Sequence, residues 1–139
     1  MRARLFLIVI SVGVLLADVP AWAHHSFAAE FDGTKPVTLR GTLTKMEWTN
    51  PHGWLFVNVT GEDGKVVNWG IEAGSPNALL RRGLRPADFA IGSEVIIQGY
   101  RAKNLTPTAN GSTVKFANGR NFFLGSSGTG SPDDKAGRE

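Results

Sequence analysis

Apolar and polar positions alternate in short runs along most of this chain. Val37, Leu39, Gly41 and Leu43 share one face at period two, which predicts a strand over residues 37–48. Met46 and Trp48 keep the period on the opposite parity, so the phase slips near Thr44 and Lys45. A β-bulge there, with Gly41 as a second bending point, would let the strand curve around a small barrel. Thr49 to Gly53 reads as a loop around Asn50-Pro51. Trp54 to Val59 is a second strand, with Trp54, Phe56 and Asn58 on one face and Leu55, Val57 and Val59 on the other. Gly61 to Gly64 forms a hairpin turn, and Val66 to Glu72 is a third strand.

The pattern then changes. Ser75 is a good N-cap, Pro76 suits the first helical position, and Asn77 to Arg82 is compatible with a helix that Gly83 would end. Residues 85–89 can add a single further turn. A fourth strand follows over Val95 to Tyr100, then a polar loop from Asn104 to Gly111. A fifth strand over Ser112 to Phe116 turns at Asn118-Gly119 into a sixth over Asn121 to Leu124. Three strands, a short helix and then further strands give an all-β class with one short helix. The expected architecture is an OB-fold-like Greek-key barrel of five or six strands.

This places the barrel at 36–124. Residues 24–35 form an N-terminal arm in which Phe27 and Phe31 allow one helical turn or an extended run. Residues 125–139, rich in Gly, Ser and Pro and without an apolar anchor, read as a disordered tail. Residues 1–23 read as a signal peptide. Arg2 and Arg4 precede an unbroken apolar or small stretch of 13 residues, Leu5 to Ala17, and Ala21-Trp22-Ala23 fits a cleavage site. That stretch is too short to span a bilayer core of ~30 Å. The expected location is therefore periplasmic or secreted, with no stable membrane insertion after cleavage.

The absence of cysteine removes a lipoprotein anchor, disulfides, thiolate zinc sites and cysteine nucleophiles. Removing 23 of the 139 residues leaves 116, enough for one domain with its own core. Without Arg2, Arg4 and Asp18 the 15 basic and 12 acidic residues become 13 and 11, a formal charge of +2. So small a charge argues against nucleic acid as a ligand, despite the fold.

Four segments carry a family likeness: His24-His25-Ser26-Phe27; Gly41-Thr42-Leu43 with Glu47-Trp48-Thr49-Asn50-Pro51-His52; Trp69 to Asn77; and Gly99 to Lys103. Together they resemble an uncharacterised family of short exported bacterial proteins, over roughly residues 24–126. The resemblance implies a signal peptide and a small β-barrel, and it brings no established activity.

The sharpest chemical feature is the histidine pair. Cleavage after Ala23 would make His24 the first residue, offering an α-amine and an imidazole on one residue. That donor pair suits Cu(II) or Ni(II), which favour nitrogen ligands in tetragonal geometry. Terminal amines with pKa ~8 and imidazoles near ~6.5 lose protons readily around neutral pH. The arrangement is similar to the histidine brace of some exported copper proteins. The metal candidates are His24, His25 and His52, the only histidines. If the arm doubled back at Asp32-Gly33-Thr34 along the first strand, His24 would lie about opposite Leu43, leaving ~16 Å to His52. If Ala23 were retained, His25 would be the third residue, and amine, amides and imidazole could form a square-planar site alone. The competing reading is a mobile end with two solvated histidines.

A second candidate is a ligand surface of Trp48, Asn50, Trp54 and Trp69 beside His52, suited to a peptide, glycan or protein partner in the cell envelope. Its competitor is that the tryptophans are core or barrel-end plugs. Glu30, Asp32, Glu47 or Glu72 could place a carboxylate near His52. No nucleophile elbow, HExxH or phosphate loop occurs, so an enzyme is not expected. A subunit whose chemistry lies in its partner is the third option. Arg81, Arg82, Arg85 and Arg101 are candidate anion binders or solvated surface residues. The expected activity is that of a binding or accessory protein, with copper as the possible cofactor.

Overall fold

The structure, a computed structural model, describes residues 27–125 and 130–133. The chain runs through α1 (Phe27–Glu30), β1 (Phe31–Glu47), β2 (Trp54–Thr60), β3 (Val66–Glu72), α2 (Pro76–Arg81), a 3-10 turn (Pro86–Asp88), β4 (Glu94–Ala102), β5 (Thr108–Phe116) and β6 (Asn121–Phe123). The strands hydrogen-bond in the order β3-β2-β1-β4-β5-β6, and β3 also pairs with β5. The pairings therefore close a ring, β1–β2–β3–β5–β4, antiparallel everywhere except at β3–β5. This is the strand order of an OB-fold, with the helix between the third and fourth strands.

One long strand makes the ring possible. The first part of β1 pairs with β4, up to Thr42↔Glu94, and its last part pairs with β2 from Thr42↔Asn58 onward. The handover needs a bend. Register slips between Leu43 and Lys45, the bulge that the alternation predicts. At Gly41 a Cβ would overlap the Asn58 carbonyl, so the close approach of the two strands requires glycine.

The inward alternation supplies the core. Leu39, Leu43, Leu55, Val57, Ile71, Val95, Ile97 and Val114 are buried in one cluster, which Leu79, Leu84 and Phe89 of the helical segment join. The helix is built as its sequence indicates. The Ser75 side chain accepts from the Ala78 N–H, Pro76 opens the helix, and Gly83 at φ +85° lets Leu84 N–H turn back to the Leu79 carbonyl.

Three segments differ from the sequence pattern. β1 begins at Phe31 rather than Val37, because Phe31 pairs with Ala102 ahead of a register break that ends at Pro36. β5 begins at Thr108, inside the stretch that reads as a polar loop. Ala109, Asn110, Gly111 and Ser112 are small or polar, yet all four are buried, the first two between β3 and β4. Small size is what the site demands, since a Cβ on Gly111 would press on Leu124 and Ile71. Within the segment read as a tail, Asp133 accepts a hydrogen bond from Ser112 Oγ at 2.7 Å. Polar contacts hold it there, which a search for apolar anchors does not detect.

The arm takes one helical turn, and Phe27 and Phe31 pack with Ala102 and Tyr100 in a small cluster of their own. Lys103 N–H donates to the Glu30 carbonyl at 2.9 Å. The arm thus runs against β4 and does not double back along β1. The signal segment, His24 and His25 lie outside the described residues. Among the described residues, no helix is long and apolar enough to cross a membrane.

Candidate functional site

The β1–β2 loop is tied down at its C-terminal end. Gly53 N–H donates to the Gly74 carbonyl at 3.1 Å, and Ala73 N–H donates to the Gly53 carbonyl at 2.8 Å. These bonds carry His52 to the end of β3. There His52 Nδ1 lies 3.3 Å from the Ala73 carbonyl and 3.5 Å from Glu72 Oε1. The side chains of His52 and Glu72 are only 16% and 14% exposed. Asn110 Nδ2 donates to the same carboxylate oxygen at 3.5 Å.

The partners of His52 decide its tautomer. A backbone carbonyl can only accept, and an ionised carboxylate can only accept. Nδ1 must therefore carry the proton. In the neutral ring the lone pair is then on Nε2, at the other edge of the imidazole.

A row of register-paired residues extends from this cluster. Trp54 is opposite Glu72, Glu72 is beside Asn110, Asn110 is opposite Tyr100, and Tyr100 is opposite Pro36. The Tyr100 ring meets Phe27 edge-on at 5.5 Å between centroids. Burial raises the Tyr100 phenol pKa, and the neighbouring Asp133 carboxylate raises it further. Phe27 thus packs at the Tyr100 end of the row, whose other end carries Glu72 and Trp54.

The tryptophans do not share one surface. Trp48 packs toward the core, 6.1 Å from the Phe89 ring. Trp69 also faces the core, and the Arg101 guanidinium lies 5.5 Å from its ring. Trp54 is on the opposite face of its strand pair, with its ring edge 3.7 Å from the Cβ position of Gly70. Asn50 is exposed, in a cis peptide with Pro51. Of the ligand-surface candidates, only Trp54 borders the His52 cluster through strand pairing. Of the arginines, Arg82 donates to the Gly125 carbonyl at 2.6 Å, and Arg101 donates to the Leu105 carbonyl at 3.1 Å.

Among the described residues, no group of three or more His, Asp or Glu side chains could hold a metal ion. His52 and Glu72 bring two such side chains together. Glu72 is one of four carboxylates that the sequence offers as neighbours of His52, and the β3 register selects it. Asn110 and Tyr100 escape a sequence reading. Asn110 lies in a stretch that looks like a loop, and Tyr100 reads only as the end of the fourth strand within the Gly99 to Lys103 segment.

The family model described as "Family of unknown function (DUF6152)" matches residues 12–111. The chain belongs to this family. The match takes in the β1–β2 loop, the whole of β3 and β4, and β5 as far as Gly111, so His52, Glu72, Tyr100 and Asn110 all lie within it. Neither the curated proteins nor the solved structures include a match.

Proposed function

We propose that this family member is an exported accessory protein that binds a transition metal, copper first. The α-amine and imidazole of His24 supply two nitrogens, and His52 Nε2 supplies a third. His25 is the alternative imidazole donor. The positive n-region, the Leu5 to Ala17 stretch and the Ala21-Trp22-Ala23 triplet support export and exposure of His24. Nitrogen donors of this kind suit Cu(II).

The observation that carries the reading is the pair of acceptors that face His52 Nδ1. A metal-binding histidine characteristically has its second nitrogen held by a carboxylate or a carbonyl. His52 Nδ1 faces one of each, Glu72 Oε1 and the Ala73 carbonyl.

The test is a Cu(II) titration of protein beginning at His24 against protein with one methionine added before it. The authentic terminus should bind one equivalent, and the extended form should bind far more weakly. Equal binding by the two forms contradicts an N-terminal site.

Trp54 favours a second reading, an envelope module for a peptide, glycan or protein partner. Trp54 and Phe56 both lie over Gly70, each with a ring carbon 3.7 Å from its Cβ position, which places two aromatic side chains together on this face. Trp54→Ala would then abolish capture of the partner and leave copper titration unchanged.

A further inference from the structure

We propose that the outer face of β1, β4, β5 and β6 carries a binding site for an uncharged, hydroxyl-rich ligand, a ring of a neutral glycan, held against Gln98, Thr113 and Phe123. The site uses none of the copper donors and none of the tryptophans, so it stands apart from both readings above.

The strand register builds the site. Thr38 pairs with Gln98, Gln98 with Thr113 and Thr113 with Phe123, so one row crosses four strands. Alternation puts this row on the side opposite Leu39, Ile97 and Val114, which lie in the core. The row lines a cleft of about 320 Å³, at the lower end of the range for small-ligand sites.

A β-bulge adds a further hydroxyl. Gln98 pairs with Thr113 but Gly99 pairs with Gly111, so Ser112 is an extra residue in β5. Regular alternation would send Ser112 inward with Val114. The bulge instead brings it into the cleft wall beside Thr113. Ser112 is 8% exposed, and its Oγ donates to Asp133 Oδ2 at 2.7 Å. The Tyr100 phenol donates to the same carboxylate. Pro132 lies against Gly33, where a Cβ would be 3.1 Å from the proline ring. These contacts hold Asp133 in the cleft wall.

The lining selects the ligand. Thr113 Oγ1 donates to Gln98 Oε1 at 3.1 Å, which orients the amide and leaves the Nε2 hydrogens to donate elsewhere. Among the described residues, nothing accepts from them. Asp133 and the oxygens of Ser112 and Thr113 offer acceptors. A sugar hydroxyl donates and accepts at once, so it answers both kinds of group. The rings of Tyr100 and Phe123 supply apolar surface for the C–H face of a sugar. Among the described residues, no lysine or arginine lines the cleft, and its one charge is the Asp133 carboxylate. An anionic ligand is therefore disfavoured. Arg40 and Lys115 belong to the next row, where they flank Ile96.

The experiment is an NMR titration of the isotope-labelled full mature protein. Maltose, cellobiose and N,N′-diacetylchitobiose are the neutral probes, and glucuronate is the charged contrast. At least one neutral disaccharide should give saturable shifts at the amides of Gln98, Thr113 and Phe123, while those of Trp54 and Gly70 stay still. Glucuronate should bind more weakly. Gln98→Ala, at an exposed position, should weaken the neutral sugar by about tenfold or more, with thermal unfolding close to wild type. Thr113→Val keeps the shape, removes the hydroxyl and should weaken binding in the same direction. No saturable shift at this face with any of the disaccharides overturns the proposal. Wild-type affinity in Gln98→Ala overturns it too, as does glucuronate binding as tightly as the neutral sugars. Shifts confined to Trp54 and Gly70 also overturn it, and would favour the aromatic face of β2 and β3 instead.

Discussion

His52 Nδ1 and Glu72 Oε1 lie 3.5 Å apart, joining the loop after β1 to the last residue of β3. The two residues are 20 positions apart in the chain, and the antiparallel β2–β3 pairing brings them together. Trp54, two residues after His52, is the register partner of Glu72. Any shift of β3 by one residue would turn Glu72 to the other face and leave His52 without this partner.

Anchoring of the arm leads to a prediction away from the metal donors. Phe27→Ala removes the ring that packs on Tyr100 and Phe31. The Lys103 amide, which donates to Glu30, should then exchange with deuterium faster, while core amides such as that of Val57 stay protected. Copper affinity should fall by about tenfold or more, because the arm's donors lose their high local concentration. Unchanged exchange at Lys103 would show that Phe27 does not hold the arm.

The bend in β1 makes a stability prediction. Gly41→Ala places a methyl group against the Asn58 carbonyl. Overpacking of this kind costs ~1–3 kcal/mol. Leu43→Ala, at a fully buried core position two residues on, should cost ~2–5 kcal/mol through lost burial and a cavity. Urea unfolding of both variants measures these costs, and a neutral Gly41→Ala would mean that the strands can separate there.

Asp88 provides a pH test. Its side chain accepts from Arg120 and from the Arg85 N–H, and these bonds lower its pKa below the ordinary 3.8. A carboxylate depressed in the folded state stabilises fully above its unfolded pKa, and the contribution disappears as pH falls through the folded value. Asp88→Asn should therefore be less stable than wild type at pH 7, because it removes the charge that faces Arg120. The gap should shrink as pH falls below 3.8 and close below the folded value. A gap independent of pH would mean that the charge of Asp88 contributes nothing.

Most of the strands, the bulge after Leu43 and the Ser75-capped helix were legible because local rules govern them: alternation, phase and capping chemistry. The start of β5 was not, because Thr108 to Gly111 is selected for small size at a crowded ring closure and shows no apolar alternation. The path of the arm was also hidden. It depends on a long-range contact between Phe27 and Tyr100, and a chain doubling back along β1 fits the sequence equally well. At the candidate site the sequence singled out His52 but left four carboxylates as possible neighbours, and the β2–β3 register chose Glu72. The three loop and strand tryptophans looked like one surface because sequence proximity does not reveal which side of the sheet each side chain takes.

Pulsed EPR of the one-to-one Cu(II) complex, comparing His24-terminated wild type with His52→Ala, tests the shared site most directly. The remote nitrogen of each bound imidazole gives a modulation that counts the rings on copper. His52→Ala should show one fewer imidazole than wild type, with weaker binding. Identical modulation in the two proteins would contradict a shared site and leave His24 to bind copper without His52.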